Sequence, residues 1–241
     1  MTVPTEIAFA GFPSEGLEFL AGLAEDNSRA YFDAHRDVYE GALLAPAKAF
    51  VVALGEELRA RVAPALRAEP RVNGSILRIN RDTRFTTDKR PYKEHLDFWF
   101  WEGDGPSRAY PGLFMRLRPA AVGLGAGMHR FEASALAAYR AAVADDETGR
   151  ALEDALADAT AVRGATVNAP ALKRVPRGFE ADHARSELLR HDGLYVGGEW
   201  KLPRVVSGPG FVGWTADRLE RMAPVERWLS AALADRSPHP A

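Results

Sequence analysis

Six cationic side chains crowd one short run of this sequence. Arg78, Arg81, Arg84, Lys89, Arg90 and Lys93 stand against three carboxylates, Asp82, Asp88 and Glu94. Three positive charges are left over in a chain whose formal net charge is -2. Guanidinium groups offer a planar fork of donors that matches carboxylate or phosphate oxygens, and several together suit a multiply charged anion. Phe85 and Tyr92 are interleaved with the charges, adding flat rings that can stack or exclude water. The opposite reading is structural: Asp82 and Asp88 pair with the arginines and lock the chain, an ion network that fixes a conformation while adding little net stability. The surplus of cations favours an anion site.

The elements that position these groups change the sequence period. GSILRINRD, HLDFWFW and GLFMRLR alternate apolar and polar residues, the signature of strands. Leu77/Ile79, Leu96/Phe98/Phe100 and Leu113/Met115/Leu117 form one predicted face. The other face carries Arg78, Asn80 and Asp82, then His95, Asp97 and Trp99, then Phe114, Arg116 and Arg118. A solvated face seldom needs tryptophan and a core face does not want arginines, so this mixture reads as the lining of a site. The predicted ligand-binding residues are therefore Arg78, Asn80, Arg81, Asp82, Arg84, Lys89, Tyr92, Lys93, His95, Trp99 and Arg116.

AVGLGAGMH follows as a fourth strand, with Gly123, Gly125 and Gly127 on one face. Bare backbone there fits either the approach of a ligand or close packing of another segment. The spacing is not a dinucleotide fingerprint, and neither a phosphate-binding loop nor a nucleophile elbow occurs. His95 and Asp97 share a face and could form an acid–base pair, although a lone histidine more commonly serves as a hydrogen-bonding residue. The other histidines lack metal-ligand spacing, and the residues name no cofactor.

Helical patterns flank the strands. Ser14 is placed as the cap of a first helix carrying Leu17, Leu20 and Leu23, and Asn27 or Ser28 as the cap of a second. Pro46 suits the first turn of a third. Later come helices at 132–144 and about 146–158, a short one near 186–190, and a late strand in GLYVGGEWKL. A C-terminal helical segment has Thr215 as a candidate cap, with Pro224 interrupting or kinking it. Helices, then strands with short turns, then helices predict an α+β fold. The expected form is a single domain, a mainly antiparallel sheet of about five strands, with N-terminal helices over 13–67, the sheet region over 74–129, and C-terminal helices with one late strand over 131–235.

With 241 residues, 46% hydrophobic and 27% charged, the chain can bury a core without staples. It has no cysteine, which removes disulfides and thiolate chemistry and fits a reducing compartment. The N-terminus lacks a secretory pattern and no run approaches the length of a membrane span, so a cytoplasmic protein without a membrane partner is expected. A pI of 6.3 disfavours nucleic acid as a partner.

Residues 78–95 match, at every fixed position, the signature R-x-x-R-D-x-R-F-x-x-D-K-x-P-Y-K-x-H. This resembles a bacterial family of uncharacterised proteins called domain of unknown function 2461. NSRAYFDAHRDVYE is similar to that family's early helix and LKRVPRGFEADH to its later basic block. The glycine segment departs from the family pattern, with Met128, His129, Arg130 and Phe131 following it. The resemblance carries no reaction and no catalytic roles.

The leading expectation is a protein, either an enzyme or a binder, that holds an anionic small molecule, bearing phosphate or carboxylate, on the polar face of its sheet. Two alternatives stand beside it. One is a nucleic-acid-binding module stacking bases on Tyr92, Phe85 and Trp99. The other is a non-catalytic interaction protein whose basic motif is a structural ion network.

Overall fold

The early apolar periodicity resolves into helices that cover one side of a sheet. A computed structural model describes residues 8–84 and 86–234. Helix α1 (Ser14–Glu25) buries Gly16, Phe19, Leu20 and Leu23. Ser14 is its first residue, not its cap; Pro13 occupies that place and the Ser14 hydroxyl turns to Glu15. Ser28 does cap α2 (Arg29–Ala34), its hydroxyl accepting from the Tyr31 N–H at 3.1 Å. After α3 (Arg36–Val38) a π-helical turn, Tyr39–Leu44, leads into α4 (Ala45–Arg61). Pro46 has no N–H to return to the Ala42 carbonyl. α1 comes close to that carbonyl, since a Cβ on Gly16 would lie 2.3 Å from it.

Contrary to the sequence expectation, Arg36–Arg61 is a helical run of 26 residues, long and apolar enough by length and composition to cross a membrane. Its Leu43, Ala47, Phe50, Val51, Leu54 and Leu58 are buried against the rest of the fold, as in an amphipathic core helix.

The sheet has five antiparallel strands in the order β1-β2-β3-β5-β4. They are β1 (Leu96–Trp101), β2 (Gly112–Leu117), β3 (Ala121–Met128), β4 (Thr166–Val167) and β5 (Leu194–Lys201). Between β3 and β4 lie α5 (Ala133–Ala144) and α6 (Asp146–Thr160), and α7 (Gly210–Ala232) closes the order. This is a single α+β domain. Leu96, Phe98, Phe100, Leu113, Met115, Leu117, Val122 and Leu124 are all buried, on the face predicted for the strands. Phe98 meets Phe12 and Phe50, and both of those meet Phe211 of α7. Burying each such ring contributes about 2 to 3 kcal/mol, so the helix-covered face holds the fold and the opposite face is released for other work.

Three placements differ from expectation. Residues 74–82 form no strand. Ser75 and Leu77 pair with the edge of β1, through Trp99 N–H to Ser75 O and Leu77 N–H to Asp97 O, both at 2.9 Å. The chain then leaves to fold back on itself at the Asn80–Tyr92 bridge, where Pro91 has no N–H to extend the ladder. Ile76 and Ile79 consequently enter the core while Leu77 turns to the other side. The fifth strand is instead β4. Thr215 lies buried inside α7, which runs unbroken through Pro224, so it caps nothing. Residues 188–190 are a single 3-10 turn.

Candidate anion-binding cavity

Strand register builds the floor of the site, and the segment before β1 and the 3-10 turn at Ser107–Ala109 add to its rim. Side chains alternate across a sheet, so the outer face presents rows of residues from neighbouring strands. Asp97, Arg116, Gly123 and Glu199 form one row across β1, β2, β3 and β5. Trp99, Phe114, Gly125 and Gly197 form the next, and Trp101, Gly112, Gly127 and Tyr195 the one after. Over this face lies a cavity of about 830 Å³.

Asp97 organises the charged row. It is only 8% exposed. The Arg116 Nε donates to its Oδ1 at 2.7 Å, and the Lys93 Nζ donates to its Oδ2 at 3.1 Å. His95 Nε2 stands 3.4 Å from Oδ2. Burial works against the charged carboxylate, but the hydrogen bonds and charges of His95 and Arg116 outweigh it and hold Asp97 below the usual carboxylate range. Arg118 pairs with Glu199 at 3.0 Å on the far side of the row. Around the cavity, Arg81, Lys93, Arg108, Arg116 and Arg118 face Asp82, Asp97 and Glu199, so positive charge predominates.

The second row supplies rings. Trp99 and Phe114 stack at 5.8 Å with planes 9° apart. His129 lies 5.3 Å from Phe114 and 4.6 Å from Tyr195. His129 is an exposed residue, yet partial desolvation of its ring, then the charges of Arg108 and Arg116, lower its pKa from the ordinary histidine value. The three glycines divide between the two readings. A Cβ on Gly125 would lie 2.3 Å from the Phe114 ring, and Gly127 sits at φ +134° against the Leu194 carbonyl. Both are packing glycines. Gly123 is different: its nearest neighbour would be Arg116 Cβ at 3.6 Å, so the floor of the cavity there is bare backbone with room above it.

Of the expected site residues, Arg81, Asp82, Lys93, His95, Trp99 and Arg116 line this cavity. Arg78, Asn80, Arg84, Lys89 and Tyr92 do not. Tyr92 is buried on the other side, stacked on Phe32 at 4.4 Å, with the Asn27 side chain bonded to both its N–H and its carbonyl. Arg84 holds Asp82 at 2.7 Å, Arg81 and Arg90 hold Asp88 at 2.8 Å each, and Arg90 also pairs with Glu94. Arg84's hydrogen bonds keep the Asp82 carboxyl far down, and Arg90's keep Asp88 at about 2. Lys89 donates to the Thr83 carbonyl at 2.8 Å, and Arg78 is 4.0 Å from Asp82. This outer loop is therefore knitted to itself. Phe85, expected as a stacking ring, lies outside the described residues.

Sequence reasoning missed Arg108, His129, Tyr195 and Glu199. Arg108 comes from a 3-10 turn, Ser107–Ala109, that no periodicity marks. Tyr195, Gly197 and Glu199 alternate against Leu194 and Val196, a pattern legible in the sequence once β5 is set beside β3. Lys173 and Arg174 do not reach the cavity. A second cavity, about 580 Å³, holds buried Arg185 and His191. Arg185 is spent there on Glu153 and on the Val143, Asp145 and Asp146 carbonyls at the junction of α5 and α6. Among the described residues no group of three His, Asp or Glu side chains could hold a metal ion.

An antiparallel sheet with helices on one face and a cation-rich, ring-lined cavity on the other defines the class of protein. The family model for the conserved hypothetical protein (DUF2461) matches residues 15–228, and the chain belongs to that family. No curated protein matches it.

Proposed function

We propose that this protein binds an anionic small molecule, bearing phosphate or carboxylate, in the cavity on the outer face of its sheet. One observation supports this most: five Lys/Arg side chains line a cavity with three carboxylates, and a surplus remains when Arg81 is set against Asp88 outside it. Fold-gathered cations repel one another, so an anion should stabilise the native state. A cytoplasmic location belongs to the same proposal and rests on the cysteine-free sequence. The ion pairs of the outer loop support the structural reading for Arg84 and Arg90, so the basic motif divides into a lock and a site.

A ligand at a hundred times its Kd adds roughly 2.7 kcal/mol, on the order of 5 to 11 °C in Tm for a chain of this size. Thermal unfolding with inorganic phosphate, ribose 5-phosphate and citrate at constant ionic strength should reveal at least one such stabiliser. Multivalent oxyanions also stabilise proteins generally by exclusion, so the specific part of a shift is the part that the cavity variants lose. Arg116→Gln should lose the specific shift, and Gly123→Val, which fills the floor, should lose it while staying folded. Arg84→Ala, outside the cavity, should keep it. No stabiliser in the panel, or equal shifts in wild type and Arg116→Gln, would refute the proposal.

A further inference from the structure

The cavity has two chemically different walls, and their separation follows from the sheet. The charged row of Asp97 and Arg116 is two residues along the strands from the row of Trp99 and Phe114, about 7 Å at the usual rise per residue. A wall for a simple inorganic anion needs no rings, and an outer face meant only for water would carry polar side chains. Here Trp99, Phe114, His129 and Tyr195 make one continuous aromatic surface, each ring within 6.1 Å of another. A Cβ on Gly125 would run into the Phe114 ring at 2.3 Å, and one on its register partner Gly197 would come within 3.4 Å of it, so the ring sits against bare backbone. Phe114 is only partly buried, so part of its ring is open to a further stacking partner. The bare floor at Gly123 leaves the space beside the charged row unfilled.

We propose that the ligand joins its anionic group to a planar ring, the anion meeting Lys93 and Arg116 and the ring stacking on Phe114 with Tyr195, inclined 75° to Phe114, and His129 beside it. This rests on the anion-binding reading above and narrows its ligand class. Arg108 and Arg116 both act electrostatically on His129, so the cationic and aromatic walls are close enough for one small molecule to span them. Nucleoside monophosphates and aromatic carboxylates share the required chemistry.

Calorimetric titration of the full chain with two matched pairs tests it. Adenosine 5′-monophosphate is paired with ribose 5-phosphate, and 3-phenylpropanoate with butanoate; adenosine supplies the ring alone. In at least one pair the ring-bearing anion should bind ten-fold or more tightly than its ringless partner. That increment should disappear in Phe114→Leu and in Tyr195→Leu, two independent variants of the same wall, each checked for a cooperative thermal transition. Ringless partners that bind as tightly as the ring-bearing anions overturn the ring and leave the anion site standing. A ring increment untouched by both variants overturns this seating. Adenosine binding as tightly as its monophosphate overturns the anion reading, and no binding by any probe overturns both.

Discussion

Two buried carboxylates in this molecule meet opposite fates. Asp97, on the outer face of the sheet, and Glu226, inside α7, are 8% and 1% exposed. Burial alone would raise both pKa values. At Asp97 the surrounding cations win, and the group stays ionised below the usual range. At Glu226 only the Ser230 hydroxyl donates, at 2.7 Å, and the second carboxylate oxygen has no partner among the described residues. Burial pushes that carboxyl up to about 7, the Ser230 bond opposing and the charge of Glu102 adding to it. The comparison separates the two faces of the fold. The helix-covered side is a dry core that tolerates a carboxyl best as a neutral group. The outer side, equally able to hide a carboxylate from water, carries enough positive charge to keep it ionised, which is the electrostatics an anion site requires.

The largest expected effect lies at Asp97. Asp97→Asn removes the charge that Arg116, Lys93 and His95 share, and breaking a buried pair by deleting one partner typically costs about 3 to 5 kcal/mol. Urea unfolding at pH 7 measures it. Because the folded-state pKa is depressed, the wild-type contribution is complete above the unfolded aspartate value, about 3.9, and fades as pH falls below it. The deficit of the variant should therefore shrink in acid. A variant as stable as wild type at pH 7 would mean that Asp97 is an ornament of the cavity and not its organiser.

Glu226→Gln should move in the opposite direction. A raised folded-state pKa means that the unfolded chain gives up its proton first, so the wild type loses stability as pH climbs from about 4 toward 7. A displacement of this size corresponds to roughly 3 kcal/mol. The variant should match wild type near pH 4 and exceed it by up to roughly that amount at pH 8. Equal stabilities across the range would erase the contrast between the two faces.

The same contrast explains what was legible in the sequence. Alternation in β1 and β2 correctly separated Leu96, Phe98 and Met115 from Asp97, Trp99 and Arg116, because a strand buried on one face writes its faces into its period. The α+β class followed from the order of periods. Arg78, Arg84 and Lys89 could not be sorted the same way. They sit in a loop whose charges are satisfied by partners close along the chain, and charge composition does not distinguish a paired arginine from one that faces a cavity. Tyr92 was drawn to the core by Phe32, far away in sequence, as Pro91 ended its ladder. Arg108, His129 and Tyr195 reach the cavity from three separate segments, which only the register of the sheet brings together.

The smallest effect is the most local. His129 titrates below the ordinary histidine value through partial burial, then through the charges of Arg108 and Arg116. An anion bound between those arginines would offset the second cause and leave the first. Its pKa should therefore rise on binding without regaining the value of a free imidazole beside an anion. Sulfate suits the measurement because its charge is constant across the titration. The ring Cε1–H resonance of His129, assigned with His129→Gln, is followed against pH in sulfate and in chloride at equal ionic strength. The midpoint should be higher in sulfate for wild type. In Arg116→Gln the chloride midpoint should already be raised, since one of the depressing charges is gone, and sulfate should move it less. Identical midpoints in both salts, with Arg116→Gln unchanged from wild type, would show that the cations and the aromatic wall do not communicate. The cavity would then be two adjacent surfaces and not one site.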